Sequence, residues 1–161
     1  ALVAPRGVGP THWAETENVN GQLVPRQAAR RFALVGQTLD GQRVWDVRRA
    51  LAVLRGLPEC KDVPMSLQGK GDAAGVALYA AIFEPNVTQL DLAGLPASHR
   101  QGPIFLNVRR ILDTPQALAL AFPREIHLHV KDEEQARAWE WPRQLQKALG
   151  HEHLHLEITG E

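Results

Sequence analysis

The feature that most constrains this chain is a glycine-rich turn between a predicted strand and a predicted helix. The apolar stretch 63–67 predicts a buried strand, and residues 75–83 predict a helix that stops before Pro85. Between them stands the segment Gly69-Lys70-Gly71-Asp72-Ala73-Ala74-Gly75. Glycine is needed where backbone turns sharply and approaches other backbone closely. The helix N-terminus adds free N–H groups and a positive dipole end, so the turn suits an anion, either a phosphate or a developing oxyanion.

The rest of the sequence alternates short apolar stretches with amphipathic ones, which is typical of β-α-β units. A chain of 161 residues is the size of one domain. We therefore expect a single α/β domain over residues 1–161, of three-layer αβα architecture, with a mostly parallel sheet of about five strands. The predicted strands are residues 1–4, 63–67, 87–92, 126–130 and 153–158. The predicted helices are residues 25–35, 39–55, 75–83, 115–121 and 133–149, and Pro142 should interrupt the last of them.

Two interpretations of the turn stay open on its residues alone. As Gly69-x-Gly71-x-x-Ala74 it is a dinucleotide-binding fingerprint, with Asp91 near the end of the next predicted strand to bind a ribose hydroxyl. That fingerprint usually opens a chain, whereas here a long predicted helix precedes it. As a nucleophile elbow, Gly-x-Ser-x-Gly, the same strand–turn–helix unit would place Gly71 where the serine belongs.

The segments around the turn favour the second interpretation. Asp46-Val-Arg-Arg-Ala50 resembles the Asp-x-x-Arg-Ala segment that precedes the elbow in acetyl xylan esterases and cephalosporin-C deacetylases of the α/β-hydrolase superfamily. Residues 75–87 are similar to the alanine-rich helix and next strand of that family, and Arg6-Gly-Val-Gly9 is similar to its Arg-Gly-x-Gly. Segments 102–108 and 112–118 fit an esterase-like subgroup more loosely. The resemblance is best over residues 39–92 and implies the C-terminal part of a carbohydrate-esterase fold.

The site that this resemblance implies is altered at its centre. Gly71 stands at the serine position, so no acyl-enzyme can form there. The elbow and oxyanion turn would comprise Gly69, Lys70, Gly71, Asp72, Ala73 and Gly75, with Asp72 serving as a local cap. Asp132 matches the position of the triad acid, or caps the next helix. The triad histidine should follow the last strand, where only Thr159, Gly160 and Glu161 stand, and half of the oxyanion hole would lie before Ala1.

We therefore expect a catalytically inactive esterase-like domain, a pseudoenzyme, with a structural role or a role in binding a partner domain or a polysaccharide. Two alternatives stay open. The chain is part of an active carboxylic-ester hydrolase completed by a missing region or partner domain, or it is a dinucleotide-binding Rossmann-like domain.

Several other polar and aromatic residues give weaker indications. The only serines, Ser66 and Ser98, have no elbow, and Ser98-His99 is expected in a surface loop. His127 and His129 share one face of a predicted strand, as do His151, His153 and His155, and such a set either binds zinc or decorates a polar sheet edge; no metal site is assigned. Among the tryptophans, Trp45 and Trp139 are expected in the core, whereas Trp13 is expected at the surface.

Charge and cysteine content limit the partners. Lys and Arg number 18, as do Asp and Glu, so no basic excess indicates nucleic acid or an anionic membrane. No cofactor is expected, and the single Cys60 excludes an internal disulfide. The chain begins without Met, so we expect a fragment or the C-terminal domain of a longer protein, with a missing N-terminal hydrolase region, a tandem domain or a second copy as partner. The compartment stays open, and export as part of a longer bacterial protein is one alternative.

The resemblance has one further consequence for the sheet. In the hydrolase fold, one more strand lies between the strands that match residues 1–4 and residues 63–67. The chain lacks that strand, and an unpaired strand edge attracts other chains. We expect that residues 1–4 close directly on residues 63–67, that another polypeptide supplies the strand, or that the chain is a piece of a larger protein.

Overall fold

The computed structural model describes residues 1–11, 24–150 and 152–160, and a parallel sheet forms the centre of this part of the chain. Its four strands are β1 (Met65–Lys70), β2 (Val87–Ala93), β3 (Glu125–Val130) and β4 (Leu154–Ile158). They pair in parallel in the order β1-β2-β3-β4. The helices are α1 (Val24–Leu34), α2 (Leu39–Arg55), α3 (Asp72–Ile82), α4 (Thr114–Leu120), α5 (Glu133–Arg137) and α6 (Glu140–Ala148). The predicted α/β class, with a parallel sheet flanked by helices, is confirmed.

The predicted first strand is wrong, so the described sheet has four strands instead of five. Residues 1–4 form no regular secondary structure and make no backbone hydrogen bond to β1 within the described chain, and Leu2 is 95% exposed. A strand exists only through pairing with a neighbour, and this segment has none beside it. Direct closure of residues 1–4 on β1, one of the three expected outcomes, is therefore not what the chain adopts.

The core lies on one face of the sheet. Alternate residues of β2, β3 and β4 are buried there, including Leu90, Leu92, Ile126, Leu128 and Leu154. The helix α3 covers β1 and β2 and is almost wholly buried, which explains its alanine-rich, apolar sequence. The helices α4 and α6 pack against each other, and α2 packs on α3 from outside. This layer of helices holds the turn between β1 and α3 in place.

The opposite face of the sheet is polar. Its side chains lie in register across the four strands, as in the row Gln68, Asp91, His127 and His155. The neighbouring row contains Gln89, Glu125 and His153. All of these side chains are exposed or half-exposed. This polar face is the side of the sheet on which the predicted histidines lie.

The helix bounds follow the sequence signals closely. The helix α2 has the predicted bounds. Its N-cap is Thr38, whose Oγ1 accepts a hydrogen bond from Gly41 N at 3.0 Å. The predicted helix 133–149 is divided into α5 and α6, as Pro142 indicated. Proline has no N–H to donate, and its ring crowds the carbonyl four residues earlier, that of Ala138, which is the C-cap of α5.

The tryptophans are only partly as predicted. Trp139 is 1% exposed and belongs to the core, as expected. Trp45 is 51% exposed, so its predicted core position is wrong. The helix α2 already presents Val44 and Val47 to α3, and a side chain one residue further is rotated by about 100° around the helix. Trp13 lies outside the described residues.

Candidate functional site: an elbow turn without a nucleophile

Gly71 occupies the apex of the turn between β1 and α3. Its backbone has φ +60° and ψ −128°, a conformation that strains any residue with a side chain. Gly71 N donates to Ala93 O at 2.8 Å, and Gly71 O accepts from Ala74 N at 3.0 Å. A Cβ atom built on Gly71 would meet no described atom within 4 Å. The apex therefore opens to space in which a side chain would stand free, as the nucleophile elbow requires.

The residues around Gly71 are packed too closely to accept side chains. A Cβ on Gly69 would lie 2.6 Å from Ala73 O and 2.7 Å from Ala74 Cα, so β1 and the first turn of α3 touch backbone to backbone. Gly75 lies against Pro103, and Gly102 lies against the Asp72 carboxylate. The glycines at 69 and 75 thus shape the turn, whereas Gly71 is a glycine for conformation alone.

Asp72 does not cap the turn. The N-cap of α3 is Gly71, and Asp72 is the first helical residue, with no side-chain bond to the helix N-terminus. The predicted cap is therefore wrong, because the strand β1 continues to Lys70 and the helix starts three residues earlier than predicted. The carboxylate of Asp72 still lies where the helix dipole favours negative charge.

Asp132, which the sequence resemblance predicts at the position of the triad acid, caps α5. Its side chain accepts a hydrogen bond from Gln135 N at 2.9 Å. Thr159 and Gly160 follow β4, and their backbone N–H groups bond to Val130 O and Lys131 O. Among the described residues, no histidine therefore follows β4, where the resemblance predicts the triad histidine.

Ser98 and His99 lie in the predicted loop, but their side chains point to different partners. Ser98 Oγ donates to Asp113 Oδ2 at 2.8 Å. The His99 ring is buried, although the sequence predicted a surface loop here. Its Nδ1 donates to Pro103 O, and its Nε2 forms a hydrogen bond with Tyr79 Oη, each at 2.7 Å. The two side chains do not form a nucleophile–base pair.

The network around His99 was missed at the sequence level, although the Asp-Thr-Pro signal of a helix start marks one of its members. Asp113 caps α4 and accepts from His99 N at 2.7 Å. Burial opposes ionisation of Asp113, but hydrogen bonds from His99 N, Ser98 Oγ and Thr114 N outweigh it and lower its pKa. Burial, aided by the charge of Asp113, raises the pKa of Tyr79 to about 12. This network fixes the loop that packs on α3 beside the turn.

The histidines of the polar face pair with carboxylates. His129 Nε2 lies 3.3 Å from Asp91 Oδ1, and its Nδ1 lies 3.3 Å from Glu157 Oε2. Glu125 contacts both His153 and His155. The rings of His127 and His155 stack with centroids 5.1 Å apart. In residues 1–11, 24–150 and 152–160, no group of three or more His, Cys, Asp or Glu side chains is arranged to hold a metal ion, and His151 lies outside the described residues.

The dinucleotide interpretation gains no support from Asp91. This side chain lies on the polar face and contacts His129. It stands two residues before the end of β2, instead of at the strand end beside the glycine turn. In the described sheet β1 is an edge strand, with its partner β2 on one side only.

The parallel sheet, the strand–turn–helix unit and the open apex are features of an α/β-hydrolase fold. Comparison with solved structures bears this out. A protein assigned as an acetyl xylan esterase from Bacteroides fragilis NCTC 9343 superimposes with a TM-score of 0.68 at 12% identity, over 96% of this chain and 44% of that one. A glucuronoyl esterase from Solibacter usitatus gives 0.55 at 11%, over 98% and 66%. A CE15 glucuronoyl esterase from Teredinibacter turnerae T7901 gives 0.50 at 15%, over 76% and 42%.

These comparisons show the fold alone. The chain shares the α/β-hydrolase fold of carbohydrate esterases, as the sequence resemblance predicted, and it spans between 42% and 66% of the length of those structures. No protein-family model and no curated protein matches the sequence. No helix in the described part of the chain is long and apolar enough to cross a membrane.

Proposed function

We propose that this chain is a carbohydrate-esterase-like domain that does not hydrolyse esters and serves instead as a binding or structural module. The observation that carries the proposal is the elbow conformation of Gly71, with φ +60° and free space at its apex. A turn of this strain is expected where a side chain must be presented, yet glycine has no group that could attack a carbonyl. Asp132 is engaged as a helix cap, and the Ser98 hydroxyl donates a hydrogen bond to the Asp113 carboxylate.

An ester hydrolysis assay tests this proposal directly. We expect the 161-residue chain to hydrolyse p-nitrophenyl acetate no faster than its exposed imidazoles and Cys60 do, without saturation. The Gly71→Ser variant should gain no turnover, because no described imidazole lies within 4 Å of the Cβ that a serine there would add. Saturable turnover that survives repurification and disappears in Ser98→Ala, but not in a matched Thr88→Ala control on β2, would overturn the proposal.

A polysaccharide is one ligand class that the surface supports. Trp45 is half-exposed, and the guanidinium of Arg48 lies 5.8 Å from its ring centroid and 5.3 Å from that of Phe83, which is 56% exposed. Exposed aromatic rings of this kind stack on sugar faces. Affinity electrophoresis in xylan gels should show retardation that Trp45→Ala removes and that Trp141→Ala, an exposed tryptophan on α6, leaves intact. Equal migration of all three proteins would exclude xylan as the ligand.

The edge of β1 supports a second polypeptide as partner. Gly71 N bonds to Ala93 O, so with the two-residue period of a strand the backbone of Gly69 and Leu67 also faces β2, and that of Gln68 faces away. A groove of about 380 Å³ separates this edge from residues 1–5. We propose that an extended strand from outside the 161 residues lies in the groove, since unpaired backbone at an edge readily accepts a strand.

That edge is also the specific observation that favours a second candidate function. The chain spans 44% of the acetyl xylan esterase structure, so a region that completes the sheet would be large enough to carry catalytic groups. In this case the chain is part of an active carboxylic-ester hydrolase. Mass spectrometry of the protein from its native source discriminates the two candidates, because the second one requires a precursor much longer than 161 residues or a tightly bound partner.

A further inference from the structure

A crevice of about 430 Å³ opens at the carboxyl ends of the strands. We name it the basic crevice; its polar lining consists of Lys70, His129, Lys131, Gln135 and Thr159. Lys70 is the last residue of β1, and His129 lies in β3. Lys131 follows β3, Gln135 lies in α5, and Thr159 follows β4. In open parallel sheets, ligands bind in the crevice outside the carboxyl ends of the strands.

The charge of the basic crevice is one-sided. Lys70 and Lys131 are exposed, and neither ammonium group makes a salt bridge or hydrogen bond within the described part of the chain. Within the described residues, no carboxylate belongs to the lining. Asp91 and Glu157 contact the two nitrogens of the lining residue His129, so their carboxylates are paired, and Asp132 caps α5. Two unpaired cations at one opening attract an anion.

Among the uncharged groups of the lining, Gln135 is oriented as a donor. Gln135 Oε1 accepts from Lys131 N at 3.1 Å, so the orientation of the amide is set by this bond. Its Nε2 then has no partner within the described residues and remains available to donate. The hydroxyl of Thr159 lies 3.3 Å from Val130 O, to which it donates, so its lone pairs face away from that carbonyl. Free donors outnumber free acceptors here, which matches an oxyanion and mismatches a cation or an apolar group.

We propose that the basic crevice binds the carboxylate or phosphate of a sugar-sized organic anion. Its volume lies within the range of about 300–1,000 Å³ that small-molecule sites occupy. Lys70 and Lys131 supply charge-assisted hydrogen bonds, and the amide of Gln135 supplies a neutral one. No bond is made or broken, so this binding is independent of the missing nucleophile and of the proposed loss of esterase activity.

The test is a titration of the ¹⁵N-labelled chain followed by NMR, with D-glucuronate, D-glucose 6-phosphate and neutral D-glucose as probes. We expect the two anions to shift the backbone amides of residues 70, 94, 131 and 159, and glucose to shift none of them. The stronger of the two anions identifies whether carboxylate or phosphate is preferred. The affinity of the better anion should fall about tenfold or more in the double variant Lys70→Gln/Lys131→Gln.

The matched control is Lys61→Gln/Lys147→Gln, which removes the same charge from two exposed lysines outside the crevice. It should bind the anions as the unchanged chain does. The proposal is overturned if neither anion shifts the crevice amides, if glucose binds equally well, or if the control variant loses as much affinity as the crevice variant. Retained spectral dispersion in both double variants shows that they fold, so a loss of binding reports on the crevice.

Discussion

Substitutions of two glycines in the same turn should separate steric from conformational constraint. At Gly69 a methyl group would lie 2.6 Å from Ala73 O and 2.7 Å from Ala74 Cα, where ordinary contact begins near 3.4 Å. Both atoms are backbone, so no side chain can rotate away to make room. Overpacking of this kind costs about 1–3 kcal/mol, and rigid neighbours place Gly69→Ala at the upper end of that range. The loss of glycine's freedom in the unfolded chain returns only about 0.4–1 kcal/mol.

Gly71 differs because its penalty comes from the backbone alone. With no described atom within 4 Å of its Cβ position, the cost of a side chain is that of φ +60° and ψ −128°, about 1–3 kcal/mol. The size of the side chain should therefore hardly matter. We expect Gly71→Ala and Gly71→Ser to lose the same free energy of unfolding within about 0.5 kcal/mol. At Gly69, in contrast, serine should destabilise clearly more than alanine.

Urea unfolding followed by far-UV circular dichroism measures these differences as free energies of unfolding. Gly94→Ala is the matched control, since Gly94 also has a positive φ, +58°, with open space around its Cβ position. It should lose about as much as Gly71→Ala. The reasoning is refuted if Gly71→Ser unfolds far more readily than Gly71→Ala, because the apex would then be filled. It is equally refuted if Gly69→Ala is as stable as the unchanged chain.

Three further predictions follow from the described contacts. Tyr79 is the only tyrosine, so the phenolate absorbance of the folded chain should rise with a midpoint near pH 12, because burial raises the pKa of Tyr79; a midpoint near 10, or one that Tyr79→Phe leaves in place, would contradict its burial. The pKa of Asp113 is lower in the folded than in the unfolded chain, so its contribution to stability is complete above about pH 4 and is lost as pH falls through the folded pKa. In the Asp113→Asn variant, the free energy of unfolding, measured in urea at a series of pH values, should therefore fall less steeply towards acid pH. An unchanged pH dependence would contradict this prediction. The unpaired edge of β1 should make the isolated chain self-associate in sedimentation experiments. The backbone N–H of Gln68 faces outward, so Gln68→Pro, which removes that donor, should reduce self-association more than Gln68→Ala does. A monodisperse monomer before any substitution would contradict an accessible edge.

Much of the fold could be predicted because its signals are local. Thr38 and Gly56 delimit α2, Pro142 divides the last helical segment, and period-two burial marks β3, where Ile126 and Leu128 are inward and His127 outward. The strands β1 to β4 were each expected within a few residues. Residues 1–4 were not, because an apolar run predicts a strand only if a neighbour exists to pair with it, and pairing is not a local property.

The candidate site could be predicted in part for the same reason. The glycines of the turn indicated its shape, and the conformation of Gly71 follows from its place between strand and helix. The burial of His99 and its bonds to Tyr79 and Pro103 depend on how a distant loop folds onto α3. The basic crevice is likewise assembled from residues on three strands, so that Lys70 and Lys131 meet only once the sheet is formed.

The most direct test of the account is covalent labelling of the chain with a fluorophosphonate, which reacts with activated serine hydroxyls. The chain has two serines, so intact-mass measurement followed by peptide mapping resolves every adduct of this kind. We predict that the folded chain stays unmodified under conditions that fully label an active serine esterase. A stoichiometric adduct on Ser66 or Ser98 that disappears on unfolding would show an activated nucleophile elsewhere in the molecule. It would contradict the proposal that this chain does not hydrolyse esters.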